Sequence, residues 1–204
     1  MLTVAIGDAT GHGLKAGTVV TATKSLFNAF AAEPSIPRFF TQTSIALKSM
    51  NMRSLYMSMA LIKIKDGRLT IGGAGMPPAL LFRHATAEVE ELTLSGAPLG
   101  SITSFAYRER EYKLSSGDTV LLLSDGFAER FNERDEIFDD ERDEIFDDER
   151  VCSLLAKVAQ EDSQTIINRF VDEGEAWAGG RPQDDDVTFV VLKVKRRIED
   201  AKTA

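Results

Sequence analysis

Leu2-Thr3-Val4-Ala5-Ile6-Gly7-Asp8-Ala9-Thr10-Gly11-His12-Gly13 is the stretch from which the fold can be read. Residues 2–6 are apolar at four of five positions, the density of a buried strand. The glycines that follow tolerate positive φ and close backbone approach, so a sharp turn is expected after Ile6. From Leu14 onward the pattern becomes amphipathic and helical. Asp8 is thereby placed where a strand stops and a helix is about to begin. A carboxylate in that position is either a helix cap or a ligand.

Two further acidic turns bear on the choice. Residues 119–124 form an apolar run that ends in Asp125-Gly126, and Gln183-Asp184-Asp185-Asp186 leads directly into the apolar residues 187–192. Each puts an aspartate at the mouth of an expected central strand, and three strands of one sheet can bring such ends together. Carboxylates packed so closely repel one another and need a cation or protons. The ligand atoms on offer are oxygens, with no Cys/His cluster. That chemistry points to Mg²⁺ or Mn²⁺ rather than Zn²⁺.

Gly7-Asp8-Ala9-Thr10-Gly11-His12-Gly13, Ala74-Gly75-Met76-Pro77-Pro78, Ser124-Asp125-Gly126 and Asp185-Asp186-Val187-Thr188 follow one another in that order. The ordered set resembles the bacterial SpoIIE-like branch of the PPM metal-dependent serine/threonine phosphatases, over residues 2–195. Met76 departs from it, since the family more often reads AGHPP. The resemblance implies an α+β fold: a four-layer α-β-β-α sandwich of two antiparallel sheets, with helices outside and metals at one end. It implies hydrolysis of a phosphoserine or phosphothreonine ester with two divalent cations, Mn²⁺ or Mg²⁺. Asp8 would bridge both ions, the Ala9 carbonyl would add an oxygen, and Asp125 and Asp185 would hold the cluster from the other strand ends. Asp186 or Asp184 can serve in place of Asp185, because three acids in a row leave the register open.

Metal-bound water would be the nucleophile, so no side-chain nucleophile is required, and Ser124 reads as structural. His12 is a candidate general acid, although the comparable histidine in the eukaryotic branch lies closer to its first aspartate. The amides of Gly11 and Gly13, at a helix start, can receive phosphate oxygens or simply turn the chain. Glu129 can orient water or lie on the surface. Family members carry further strands before the first motif, including an acidic Gly-Gly-Asp segment that helps ligate one metal. This chain begins too late to contain it. The expectation is therefore an N-terminally incomplete phosphatase domain over residues 1–195, with a charged tail at 196–204. Its first strand would present an unpaired edge, open to association such as a homodimer. The resemblance further implies an upstream sensor domain in the parent chain and a phosphorylated anti-sigma-factor antagonist as substrate. A rival reading is a phosphatase-shaped binding module without catalysis.

At 204 residues and 43% hydrophobic, one compact domain is expected. No stretch approaches a membrane span, Met1 opens no signal peptide, and the single cysteine, Cys152, sits in a helical pattern as a core residue. These features favour a reducing, cytoplasmic setting without membrane contact. A net charge of −8 argues against a nucleic-acid partner. That charge is local: residues 135–142 and 143–150 both read DEIFDDER, each with five acids and one arginine. Eight residues advance a helix by about 800°, roughly 80° past two full turns, so a loop or helix end tolerates the duplication better. An added solvated turn is the plain reading. An altered flap over the metals, or an acidic docking patch, is the sharper one.

Elsewhere the periodicity predicts helices over 14–32 and 37–50, then strands over 56–64, 68–74, 79–83, 89–92, 105–114 and 119–123. Lys65-Asp66-Gly67 signals a hairpin, and Asp118 reads as a turn residue. Two helices follow Asp125, the second capped by Asp162 or Ser163, before a last strand at 187–192. Helices in two blocks around a run of strands favour α+β over alternating βαβ units.

Overall fold

A computed structural model describes residues 1–52, 54–93, 96–138 and 150–195. Its elements, in chain order, are β1 (Leu2–Ala9), α1 (Gly13–Phe30), α2 (Ile36–Ser49), β2 (Met57–Lys65), β3 (Arg68–Ala74), β4 (Ala79–Arg83), β5 (Glu88–Leu92), β6 (Arg110–Lys113), β7 (Thr119–Leu123), α3 (Asp125–Ala128), α4 (Arg150–Val158), α5 (Ser163–Ala178) and β8 (Phe189–Lys193). They form two antiparallel four-stranded sheets with helices, the expected α+β class. The chain divides into two units, Met1–Pro78 with Thr93–Lys113 and Ala79–Leu92 with Leu114–Ala204.

The first unit holds the sheet β1-β2-β3-β6, with α1 packed on β1 and β2 and α2 on β3. Lys65 pairs with Arg68 across a two-residue turn whose Asp66 and Gly67 both take positive φ, 50° and 72°. This is the tight hairpin that matches the twist of paired strands. Met57, Met59 and Leu61 alternate along one face of β2 and meet Ile36, Phe39 and Phe40 of α2 in the core. Burying each such large side chain contributes about 1.5–3 kcal/mol. α2 can approach because Gly72 has no side chain: a Cβ there would lie 2.4 Å from Ile36 Cγ2. Lys63 ends the same face, and its Nζ donates to the Ala31 carbonyl (3.1 Å) and the Glu33 carbonyl, just past the C-terminus of α1.

The second unit holds the sheet β5-β4-β7-β8, with α4 on β4 and β5 and α5 on β8. Leu80, Phe82, Leu121 and Leu123 face Phe127, Leu155, Ile166 and Phe170. Phe127 stacks with Phe138, Phe170 and Phe189 at 4.9–5.5 Å between centroids. Asp162 caps α5 by accepting from Gln164 N–H and Thr165 N–H. Lys193 repeats the device of Lys63, donating to the carbonyls of Ala159 and Glu161 beyond α4.

Several expectations are corrected. β1 does not turn after Ile6 but runs on to Ala9, because Gly7 and Asp8 stay in register with Met59 and Ser58 of β2. β1 lies in the first sheet and β7 and β8 in the second, so the three acidic turns do not belong to one sheet. β8 stands at a sheet end rather than centrally, which is why it is only half-buried along its length, whereas β1 is the sheet edge that was expected. Of residues 105–114 only Arg110–Lys113 pair as a strand. Asp118 is more than a turn residue. It is 1% exposed and accepts from Arg83 Nη1, His84 N–H and Ser115 N–H. Cys152 is half-buried at the rim of the core. Most of the duplicated octapeptide, residues 139–149, lies outside the described residues, as does the tail 196–204. Among the described residues no helix is long and apolar enough to cross a membrane.

Candidate metal centre

In the second unit the site is built around Ser124. β7 ends at Leu123, and Ser124 takes extended backbone (φ −81°, ψ 159°) before the single turn of α3. Its N–H donates to the Thr188 carbonyl at 3.1 Å. Its Oγ donates to the Asp186 carbonyl at 3.0 Å and accepts from the Thr188 N–H at 2.9 Å. One buried serine thus ties residues 124–126 to residues 186–188. Gly126 completes the fit, since a Cβ there would lie 2.6 Å from the Asp186 carbonyl oxygen and 3.3 Å from Asp185 Cβ. Asp125 and Asp185 are therefore neighbours, separated by a backbone contact that only glycine permits.

The three consecutive acids have different fates. Asp184 faces Arg181, with Oδ2 3.3 Å from Nε. Asp185 Oδ1 accepts from the Asp186 N–H at 2.8 Å, and Asp125 Oδ1 accepts from the Gly126 N–H at 3.0 Å. Asp186 gives its carbonyl to Ser124. Among the described residues no lysine or arginine pairs with Asp125 or Asp185. Carboxylates on turns packed this closely are hard oxygen donors of the kind that suit a divalent cation such as Mg²⁺ or Mn²⁺. Among the described residues no group of three or more His, Cys, Asp or Glu is gathered to hold a metal.

The other sequence-predicted residues lie in the first unit. Asp8 is inside β1, opposite Ser58, and Ala9 ends the strand buried. Gly7 lets β2 close on β1, since a Cβ there would lie 2.6 Å from Met57 Cε and 2.7 Å from the Ser58 carbonyl oxygen. His12 is the exposed N-cap of α1 and makes no side-chain cap bond. Gly11 and Gly13 flank it at φ 85° and 76°, also exposed. Glu129, in the second unit, is the exposed C-cap of α3.

Sequence reasoning missed Arg181 and the turn at residues 131–138. Arg181 follows Gly179-Gly180, which end α5 in left-handed backbone (φ 62° and 99°). The one available signal was an arginine three positions before a run of three acids.

The family model described as Stage II sporulation protein E (SpoIIE) matches residues 1–195. No curated protein matches the chain as a relative. Among solved structures, the SiaA-PP2C domain of Pseudomonas aeruginosa is similar at TM-score 0.79 and 22% identity, covering 94% of this chain and 74% of that one. The RsbU and RsbW domains of Rv1364c from Mycobacterium tuberculosis align at TM-score 0.69 and 24% identity, over 95% of this chain and 51% of that one. The PP2C phosphatase domain of SpoIIE from Bacillus subtilis, solved with a fragment of its regulatory domain, aligns at TM-score 0.67 and 16% identity, over 96% and 54%. At these identities the likeness establishes the fold.

Proposed function

The chain belongs to the SpoIIE family, and we propose that it is a metal-dependent protein phosphatase that hydrolyses phosphoserine or phosphothreonine esters on a regulatory protein. The observation that supports this reading is the close approach of the Asp125-Gly126 turn to residues 185–186, with neither Asp125 nor Asp185 ion-paired to a lysine or arginine among the described residues. The family resemblance implies Asp8 and the Ala9 carbonyl as further ligands, with Asp186 the alternate to Asp185. Mn²⁺ or Mg²⁺ bound there supplies an acidified water and charge stabilisation for the leaving oxygen.

The protein's own residues have separate tasks. Asp125 and Asp185 hold fixed negative charge at a position set by Ser124. The N–H groups of Gly11 and Gly13 at the start of α1 receive phosphate oxygens. His12 is the candidate to protonate the departing serine or threonine oxygen as the phosphorus–oxygen bond breaks. The substrate we propose is a phosphorylated antagonist of an anti-sigma factor, in cytoplasmic signalling downstream of a sensor domain of the parent chain. Membership of the SpoIIE family supports that context.

The test is phosphate release from a phosphoserine protein by the full chain with Mn²⁺. Turnover is expected to vanish on chelation and in Asp125→Asn and Asp8→Asn. Release that survives chelation would end the reading. That no third potential ligand joins the pair among the described residues favours a second reading, a phosphatase-shaped docking module without catalysis. Calorimetric titration separates the two, because a docking module need not take up Mn²⁺.

A further inference from the structure

Arg181, in the second unit, meets several partners at once. Its Nη1 donates to Asp135 Oδ1 and, at 3.2 Å, to the Asn132 carbonyl. Its Nε lies 3.3 Å from Asp184 Oδ2, and its guanidinium sits 4.9 Å from the centre of the Phe131 ring. A planar fork with five donors can meet all these partners at once, which a lysine cannot. Its backbone is equally fixed, because the Arg181 N–H donates to the Ala178 carbonyl at the end of α5.

The partners come from two places. Asp184 opens the acidic run. Phe131, Asn132 and Asp135 belong to a closed turn in which Phe131 bridges Ile137 and Phe138 N–H donates to the Arg130 carbonyl at 2.9 Å. Asn132 Oδ1 accepts from the N–H of Arg134 and Glu136 inside that turn. Asp135 holds φ 60°, a left-handed conformation that costs energy for a residue with a side chain. It is retained where the carboxylate reaches Arg181.

We propose that Arg181 is a positioning residue: it draws Asp184 aside, leaves Asp185 beside Asp125 as the carboxylate available to a divalent cation, and couples the turn at residues 131–138 to cation affinity. This rests on the metal-centre reading above. It takes Asp184 out of the three adjacent acids, a choice that spacing alone leaves open.

The sign of one measurement decides it. Removing a positive charge near a cation site tightens cation binding if charge alone matters. If position matters, affinity falls, and loss of an outer partner of a ligand set costs about tenfold or more. The experiment is calorimetric titration of the full chain with Mn²⁺ alone, for wild type, Arg181→Met, Arg181→Lys and Asp135→Gly. Arg181→Met is expected to bind at least about tenfold more weakly, with Arg181→Lys in between. Asp135→Gly, which suits the left-handed backbone while deleting the carboxylate, is expected to weaken binding in the same direction without lowering the melting temperature. Equal or tighter binding in Arg181→Met overturns the proposal. If that variant does not fold, unchanged affinity in Asp135→Gly overturns the coupling. Wild type that takes up no Mn²⁺ defeats the metal-centre reading instead, so the two failures are distinct.

Discussion

At the scale of single residues, Gly126 decides how close the turn after β7 can stand to residues 185–186. The atom an alanine would meet is a backbone carbonyl oxygen at 2.6 Å, which cannot swing away as a flexible side chain would. Gly126→Ala is expected to cost about 1–3 kcal/mol in urea denaturation, as overpacking typically does, and to impair Mn²⁺ uptake. Stability equal to wild type would show that the turn has slack. The motif Ser124-Asp125-Gly126 was legible in the sequence, and so was the structural part played by Ser124. The pairing of Asp184 with Arg181 was not, because it depends on where the end of α5 delivers the arginine. Asp118 was misread for a similar reason: its three donors converge only after β4 and β7 pair.

Among elements, the two sheets share a solution to a common difficulty. A helix that ends against a sheet leaves carbonyls without partners, and Lys63 and Lys193 each send an ammonium to such an end. Lys63→Met keeps the stem and deletes the donor. It is expected to lower stability by about 1–2 kcal/mol near neutral pH, read by denaturant unfolding. Burial draws the Lys63 ammonium below its ordinary 10.5, against the pull of Glu33 and Glu109. The folded state then binds fewer protons than the unfolded state in the window between the lowered value and 10.5, so wild-type stability gains as pH rises through it. The gap between wild type and Lys63→Met should widen over that window, and a constant gap would refute the assignment. Periodicity located β4, β7 and the β2–β3 hairpin because their patterns are local. It could not order the strands, since alternation says which face is buried and nothing about the neighbour. That is why β8, read as central, stands at a sheet end.

For the molecule as a whole, each unit has its own aromatic-rich core, one around Phe39 and Phe40 and the other around Phe127 and Phe170. Among the described residues of the duplicated octapeptide, Phe138 and Arg150 meet the aromatic rings of the second core. Phe138, from the first copy, stacks on Phe127 and Trp177, and Arg150, from the second copy, lies 4.0 Å over the Trp177 ring. Excising residues 139–146 joins Phe138 to residues 147–150 and restores a single DEIFDDER. Shortening such a connection changes closure entropy by only about 1 kcal/mol. The excised chain is expected to melt at or slightly above the wild-type temperature and to move from net charge −8 to −4. Collapse of its thermal transition would show that both copies are needed.

The anchoring of Phe138 and Arg150 has an evolutionary corollary. Whatever the number of whole octapeptides between them, the unit that begins the run presents a phenylalanine and the unit that closes it presents an arginine. Lengthening by further eights leaves what the core meets unaltered. Variation in copy number by whole octapeptides is thus expected to change the charge of the chain while keeping a phenylalanine and an arginine at the two anchoring positions.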